Sequence, residues 1–257
     1  MKPIVFYDIP YKVKGGTWSP NTWKVRYALN FKSLPYQTTW VEYPDIEALY
    51  TETLKIPPCQ ILRSGKPYYC LPVIYDPNTD TTISDSLRIA DYLDKTYPTS
   101  GAGLLFPGGA PTRALQAGFI AAYDSVSGPM AQFIIPCIAS ILNARSEEYF
   151  TRTRTESFGK PLKDVFPAGE ERTQMWEKTK AAFAKIDEWI AHSDADGPFV
   201  MGAKPSFADF VIAGEMQWCK IGFGPESEMW REWAGWHNGR WLAFIDNVKQ
   251  HEGEDQV

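Results

Sequence analysis

The sequence predicts a small α/β domain followed by an all-helical domain. Short β-rich runs alternate with helical runs in the first part, the second part has only helical spacing, and a stretch rich in Gly and Pro separates them. A chain of 257 residues is long enough to bury one large core or two smaller ones. We therefore expect the α/β domain over residues 1–97, a linker over 98–111 and the helical domain over 112–257.

The α/β domain is expected to follow the order β-α-β-α-β-β-α around a mixed four-stranded sheet. Its strands are predicted at 4–8, 37–41, 73–75 and 81–83, with a hairpin at 60–71 before the third strand. The first helix begins at Ser19-Pro20, where a capping residue precedes the Pro that suits the first helical position. Residues 45–53 have helical composition, and the last helix runs to about Tyr97.

The helical domain is predicted to have its helices at residues 112–143, 173–192, 206–220, 230–236 and 239–248. The first of these is expected to bend or break at Gly128-Pro129 and at Pro136, because Pro removes a helical hydrogen bond. Ser206 and Asp209 have the spacing of a capping box, which we interpret as purely structural. The charged tail from His251 is expected to be solvated or frayed.

Composition and charge exclude several classes of function. Hydrophobic residues make up 44% and charged residues 22% of the chain, which is typical of a globular protein. The net charge is -5 and the Lys and Arg residues are scattered, so no nucleic-acid partner is expected. No apolar run approaches the roughly 20 residues of a membrane span, and the N-terminus has no signal-peptide pattern. We therefore expect a cytosolic protein that does not bind membranes.

The cysteines and histidines indicate neither a metal site nor disulfides. The four cysteines are widely spaced and form no CxxC motif, so we expect reduced, mostly buried thiols. The histidines lie far apart, at positions expected on the surface or in the tail (His192, His237 and His251). We assign no role to them and expect no metal.

Ser19, at the start of the first helix, is a candidate for holding a thiolate. It suits both a routine N-cap and a contact to an anion, and the two roles are compatible because a helix N-terminus attracts anions. Lowering the pKa of a thiol from about 8.5 to about 6.5 needs roughly 2.7 kcal/mol. The helix supplies about 0.3–1 kcal/mol and one hydrogen bond to a charged acceptor about 1.5–3, which together are about enough.

Tyr7, near the end of the first strand, is the rival hydrogen-bond donor to the thiolate, although a Tyr packed in the core is the more ordinary interpretation.

Leu71-Pro72, directly before a predicted strand, allows two interpretations. A trans peptide bond at the start of an edge strand is the ordinary one. If the bond is cis, the N–H and C=O of Leu71 turn outward, where they could pair with an extended peptide ligand. The residues alone leave both open.

Ser84-Asp85-Ser86, at the start of another apolar helix, offers oxygens and unpaired N–H groups at one place. A helix cap is the structural interpretation. The functional one puts a ligand carboxylate on the hydroxyl and N–H of Ser86, with Asp85 left to meet an ammonium group. In series with Ser19 and Leu71-Pro72, this motif indicates a site for a small peptide that carries a thiol and carboxylates.

With these motifs in this order, the chain resembles a glutathione S-transferase over nearly its whole length. The resemblance implies a thioredoxin-like N-terminal domain, an all-helical C-terminal domain, glutathione as co-substrate and a homodimer. It also implies a cis bond before Pro72. Ser19 matches the position where serine- and cysteine-type members keep the residue that faces the glutathione sulfur, and a Ser there favours thiolate activation over thiol transfer. Glutathione is then expected at Ser19, Leu71, Pro72, Asp85 and Ser86.

More narrowly, residues 19–30 and the Gly65-Lys66 hairpin resemble the fungal etherase-related class, which is similar to bacterial lignin β-etherases. Asp85 stands where Glu is commoner, and the loop before the strand is longer than usual. The resemblance implies an apolar acceptor site facing the helical domain. Residues that could line it are Tyr7, Trp18, Phe119, Tyr123 and Trp218.

We expect an enzyme in which the thiolate attacks aromatic or other apolar electrophiles, or cleaves aryl ethers. An alternative is a ligandin-type binding protein for hydrophobic aromatic compounds with weak catalysis. The aromatic content of 14%, with ten Trp, is compatible with it, but an aromatic helical core would give the same count. A non-enzymatic regulatory relative, without affinity for glutathione, is the third alternative.

Overall fold

A four-stranded sheet forms the framework of the first domain. In the computed structural model, which describes residues 1–253, the strands are β1 (Ile4–Asp8), β2 (Tyr36–Trp40), β3 (Gln60–Ile61), β4 (Pro67–Tyr68), β5 (Val73–Asp76) and β6 (Thr81–Ser84). The sheet has the order β2-β1-β5-β6, and β3 and β4 form a separate hairpin. β1 and β2 are parallel, with Ile4 opposite Tyr36, and the other pairs are antiparallel. The predicted mixed four-stranded sheet is confirmed.

Helix α1 packs on one face of this sheet. The helices of the first domain are α1 (Pro20–Phe31), the short α2 (Ile46–Ala48), extended by a π-helical segment over Leu49–Leu54, and α3 (Ser86–Thr96). The predicted apolar face of α1 has no exposed surface (Val25, Ala28 and Leu29). From the same helix, Arg26 donates a hydrogen bond to Asp8 at 3.2 Å and covers the ring of Phe6. Since Phe6 and Asp8 alternate with Tyr7 along β1, this contact places Tyr7 on the opposite face of the sheet.

The connection between α3 and the helical part contains no regular element from Tyr97 to Gly109. A buried ion pair, Lys32 to Asp94 at 3.1 Å, anchors it. Asp94 also accepts hydrogen bonds from the backbone N–H groups of Leu105 and Phe106, both at 2.9 Å. We propose this connection as the boundary between the two domains; the last two residues of the predicted linker belong to the next helix.

The helical domain consists of α4 (Ala110–Ser127), α5 (Ala131–Ile141), α6 (Ala144–Phe158), α7 (Gly169–Ala191), α8 (Phe207–Phe223), α9 (Glu228–Ala234) and α10 (Trp236–Val248). The break predicted at Gly128-Pro129 is a 3-10 turn over Gly128–Met130, and Pro136 lies inside α5. The capping box of Ser206 and Asp209 is confirmed at the start of α8. Helix α6 was not predicted. No described helix has the length and apolar character needed to cross a membrane.

The expectation of a solvated tail is wrong for its described part. His251 is buried, and Asn30 on α1 donates hydrogen bonds to the carbonyl oxygens of His251 and Gly253, at 2.9 and 3.0 Å. Gln217 on α8 donates to Glu252 at 2.6 Å. The amide side chains of two helices thus hold the chain end, while residues 254–257 of the predicted tail lie outside the described residues.

His237 is half-buried rather than on the surface and accepts a hydrogen bond from the indole of Trp241.

The expectation of four reduced cysteines is also wrong, because Cys59 and Cys70 are joined by a disulfide. The β3–β4 hairpin explains the pairing. The N–H of Cys59 donates to the carbonyl oxygen of Tyr68, which aligns the two chain segments and leaves the cysteine Cα atoms 6.2 Å apart. The two cysteines are 11 positions apart in the sequence, so their spacing alone did not indicate this contact. Cys137 and Cys219 are free.

Candidate functional site

Ser19 caps α1 with its backbone and leaves its hydroxyl unused. It has extended dihedral angles, φ -69° and ψ 129°, and Pro20 occupies the first helical position. The side chain accepts no capping hydrogen bond, and none joins it to another described residue. Ser19 is only 4% exposed. Of the two interpretations of this serine, the structure therefore shows a cap without the side-chain bond, and the hydroxyl is available to a ligand.

The first turn of α1 also has unpaired donors. The backbone N–H groups of Asn21 and Thr22 have no acceptor among the described residues. The hydroxyl of Thr22 donates to the carbonyl oxygen of Ser19 at 3.1 Å. An anion next to Ser19 would meet these N–H groups together with the hydroxyl.

Tyr7, the rival donor, lies on the face of the sheet opposite α1, between Thr39 on β2 and Val73 on β5. Its side chain is almost fully buried, and burial raises the pKa of its phenol. This position corresponds to the core interpretation of Tyr7 and favours Ser19 as the residue at the helix start.

The peptide bond between Leu71 and Pro72 is cis, as the family resemblance implied. Leu71 is 4% exposed, yet neither its N–H nor its C=O has a hydrogen-bond partner in the part of the chain that the structure describes. Buried backbone groups are almost always paired, so these two are suited to a ligand. The preceding carbonyl oxygen, that of Cys70, accepts a hydrogen bond from Tyr50 at 2.6 Å, which fixes the approach to this segment.

Asp85 and Ser86 lie where β6 passes into α3. Asp85 is the N-cap, and one carboxylate oxygen accepts hydrogen bonds from the N–H groups of Leu87 and Arg88, both at 3.0 Å. Its φ of 80° is a strained conformation for a residue with a side chain, which costs about 1–3 kcal/mol and is frequent at ligand sites. Within the described chain, the hydroxyl and the backbone N–H of Ser86 have no partner.

A cavity of about 160 Å³ opens beside the first turn of α1, between α4, α5 and α8. Its lining includes Pro20, Asn21, Lys24, Asp124, Ser127, Gly128, Ala131, Val211, Glu215 and Trp218. Lys24 donates a hydrogen bond to Asn21 at 2.9 Å, and burial lowers the pKa of its ammonium group although carboxylates nearby oppose that effect. Burial raises the pKa of Glu215, which is half-buried and close to the hydroxyls of Tyr123 and Ser127.

The structure brings one of the predicted acceptor residues, Trp218, to this cavity. Tyr123 is buried next to Glu215, behind the lining, and the ring of Phe119 stacks on that of Tyr123 inside the helical domain. Trp18 is 3% exposed and packs against Tyr43 and Phe150. Tyr7 lies across the sheet. The cavity is therefore lined by charged and polar groups more than by the expected aromatic rings.

Sequence reasoning missed Lys24, Asp124 and Glu215. A usable signal existed on α1, because positions 20, 21 and 24 share one helix face. Glu215 is also the lone acid in an otherwise apolar stretch of α8. Among the described residues, no group of His, Cys, Asp and Glu is arranged to hold a metal ion.

Comparison with known proteins gives the same family from both domains. A family model described as the glutathione S-transferase N-terminal domain matches residues 18–96, and one described as the C-terminal domain matches residues 114–251. The glutathione S-transferase-like protein ustS of Aspergillus flavus is 33% identical over 99% of this chain and 93% of its own.

Solved structures from two other fungi are similar over the full length. A Ceriporiopsis subvermispora glutathione S-transferase, solved in complex with glutathione, is 42% identical, with a TM-score of 0.92 and all of both chains covered. The Phanerochaete chrysosporium glutathione transferase GSTFuA3 is 36% identical, with a TM-score of 0.91 and 99% of each chain covered.

Proposed function

Because this chain belongs to the glutathione S-transferase family and takes glutathione as its co-substrate, we propose that Ser19 holds the glutathione sulfur as a thiolate. The thiolate attacks hydrophobic or aromatic electrophiles, or cleaves aryl ethers. The observation that carries this proposal is the unused Ser19 hydroxyl, nearly buried at a helix N-terminus whose own N–H groups lack acceptors. Ser19 acts by stabilising the nucleophile and is not itself the nucleophile.

The unpaired groups of the first domain match the parts of glutathione one by one. The N–H and C=O of Leu71 pair with the peptide backbone of the ligand, in the manner of strand addition. The hydroxyl and N–H of Ser86, at the positive end of α3, bind its α-carboxylate. Asp85 uses one carboxylate oxygen for its cap, and the other meets the α-ammonium group.

The energies agree with a serine-type mechanism. The unpaired N–H groups supply the helix electrostatics of about 0.3–1 kcal/mol, and the Ser19 hydroxyl adds about 1.5–3 kcal/mol as a hydrogen bond to a charged acceptor. The sum reaches the roughly 2.7 kcal/mol that lowers a thiol pKa by two units. The etherase-related class, the homodimer and a cytosolic location are parts of the same proposal, and the motif around residues 19–30 is what supports the class.

The structure offers little support for a ligand carrier. Most of the ten Trp residues are buried in the core, which accounts for the aromatic content without a binding surface. The cavity beside α1 has a volume of only about 160 Å³, and one aromatic ring, that of Trp218, is among its lining residues.

The test is the Ser19→Ala variant, with Tyr7→Phe as the matched control. We expect Ser19→Ala to lose about 1.5–3 kcal/mol of transition-state stabilisation, which is roughly 10- to 150-fold in kcat/KM with 1-chloro-2,4-dinitrobenzene, and still to be retained on immobilised glutathione. Tyr7→Phe should keep most of the activity. The opposite ranking of the two variants would show that Tyr7, and not Ser19, stabilises the thiolate. If the wild type is not retained on immobilised glutathione, the glutathione site as a whole is refuted.

A further inference from the structure

The cavity beside α1 lies directly next to the place where the proposed thiolate forms. Helix α8 approaches α1 closely at Gly214, since a Cβ atom at that position would lie 2.6 Å from the carbonyl oxygen of Pro20. Pro20 follows Ser19 in the chain, and Glu215 follows Gly214. Glu215 lines the cavity together with Pro20 and Asn21, the first two residues of α1.

The charges of this cavity are unbalanced. Glu215 and Asp124 are acids, and Lys24 is the only cation among its described lining residues. The Lys24 ammonium also interacts with Asp85 at the start of α3. No carboxylate of the described chain comes within 4.0 Å of that ammonium, so none of these acids is neutralised by a direct ion pair. Because one ammonium group interacts with several carboxyl groups, the negative charge of the more deeply buried carboxyl group is only partly balanced.

Glu215 is that acid. Asp124 is exposed at the solvent side, whereas Glu215 is half-buried. Tyr123 and Ser127, both nearly inaccessible, interact with its carboxyl group, and the Tyr123 hydroxyl is without a hydrogen-bond partner in the described chain. The cavity also has a buried N–H without a partner among the described residues, that of the Trp218 indole. A carboxyl group that loses its water contacts on burial favours its protonated form. Burial accordingly raises the pKa of Glu215.

We propose, on the basis of the proposed glutathione transferase function, that Glu215 is the general acid of the acceptor site and that the acceptors it serves lose an oxygen leaving group, as aryl ethers do. The glutathione thiolate attacks the carbon, so that a C–S bond forms while the C–O bond breaks. The bonding electrons pass to the leaving oxygen, which takes the proton of Glu215 and departs as a phenol. The carboxylate then regains a proton equivalent to the one released when the glutathione thiol ionised.

The experiment compares Glu215→Gln with the wild type on two acceptor classes. A series of aryl ethers with phenols of different acidity requires a proton at the leaving oxygen, whereas 1-chloro-2,4-dinitrobenzene loses chloride and requires none. We expect Glu215→Gln to lose about 10²–10⁴-fold in kcat with the ethers, most with the least acidic phenols. The chloride reaction should decline by less than about threefold, because Gln keeps the shape of the side chain.

The pH profile gives a second measurement. The acid form is the active one, so kcat for the ethers should fall at high pH as Glu215 loses its proton, while the chloride reaction should not fall there. The groups that face Glu215 are Lys24 on α1, Tyr123 and Asp124 on α4, and Cys219 on α8 itself. In Glu215→Gln the alkaline limb should be absent.

Controls separate this inference from the proposed function. Glu177→Gln changes an exposed carboxylate on α7 and should alter neither reaction. Ser19→Ala should lower both reactions, since both need the thiolate. Glu215→Gln losing both classes equally would show a structural role. A wild type that conjugates the chloride substrate but cleaves no aryl ether, or an ether rate unchanged in Glu215→Gln, would overturn the general acid and leave the transferase function standing. Absence of glutathione retention would overturn both.

Discussion

The close approach of α8 to α1 makes Gly214→Ala a sensitive probe of the proposed sulfur site at Ser19. The added Cβ would lie 2.6 Å from the carbonyl oxygen of Pro20, about 0.8 Å short of an ordinary contact at 3.4 Å. The obstacle is backbone, so the start of α1 must move. Overpacking costs about 1–3 kcal/mol, and the better helix propensity of Ala returns about 1. We expect a net loss of about 0–2 kcal/mol, or a Tm lower by up to about 8 °C.

The effect on activity should exceed the effect on stability. A misplacement of about 1 Å at a reacting centre can lower the rate about 10²-fold. A shift of the α1 start that carries Ser19 with it should therefore lower kcat/KM about 10- to 100-fold, equivalent to about 1.4–2.7 kcal/mol. Steady-state kinetics with varied glutathione, together with thermal unfolding, measure both quantities on the same preparation.

Gly222→Ala on the same helix is the matched control. Its Cβ would also intrude, at 2.4 Å from the end of the Ile134 side chain, but it would meet side chains of the helical domain and not the α1 backbone. We expect it to lose stability while it keeps kcat/KM near the wild-type value. If Gly214→Ala retains full activity, or if both variants lose it equally, the packing of α8 on α1 does not set the sulfur site.

Two further predictions concern the rest of the chain. Asp209→Ala removes a buried carboxylate that accepts hydrogen bonds from Val200 and Ser206 at 2.7–2.8 Å, so urea unfolding should show a loss of about 2–4 kcal/mol. Burial raises the pKa of Asp209 to about 6 from 3.8, so the contribution of Asp209 to stability is greatest at low pH and is lost as the pH rises through about 6. The difference in unfolding free energy between wild type and Asp209→Ala should therefore be larger near pH 4.5 than near pH 7.5. A difference that does not change with pH would contradict the raised pKa. Denatured protein alkylated without reductant should gain two groups by mass, from the two free cysteines, and four after reduction; four in both cases would disprove the Cys59–Cys70 pairing.

Local signals were sufficient for most of the fold. Ser19-Pro20 and the Ser206 capping box mark helix starts through contacts within a few residues, and such contacts are legible in a sequence. Helix α6 could not be predicted in this way, because only Ser146 and Phe150 are buried along its length and its sequence therefore has little apolar periodicity. The docking of the chain end on Asn30 depends on residues more than two hundred positions apart, which no local pattern reports.

The ligand was predictable from the sequence. Ser19, Leu71 and Ser86 each stand at an element boundary, and the order of the three boundary motifs indicated glutathione; the contacts of these residues with it stay a prediction. The charged cavity joins Lys24, Asp124 and Glu215 from three helices. Each of them alone is an unremarkable helical residue, and only the packing of α8 on α1 and α4 makes them neighbours.

The structure also separates two roles of Ser19 that its sequence context could not separate. A capping serine whose hydroxyl oxygen accepted a hydrogen bond from the helix would have satisfied one of the free N–H groups and would have been turned away from a ligand. Here the hydroxyl makes no such bond, and Asn21 and Thr22 keep their N–H groups free among the described residues. The first turn of α1 therefore lacks the stabilisation of about 0.5–2 kcal/mol that a side-chain cap would give. In the proposed complex, a thiolate that accepts hydrogen bonds from the Ser19 hydroxyl and both N–H groups would recover this stabilisation, and a neutral thiol would recover less of it.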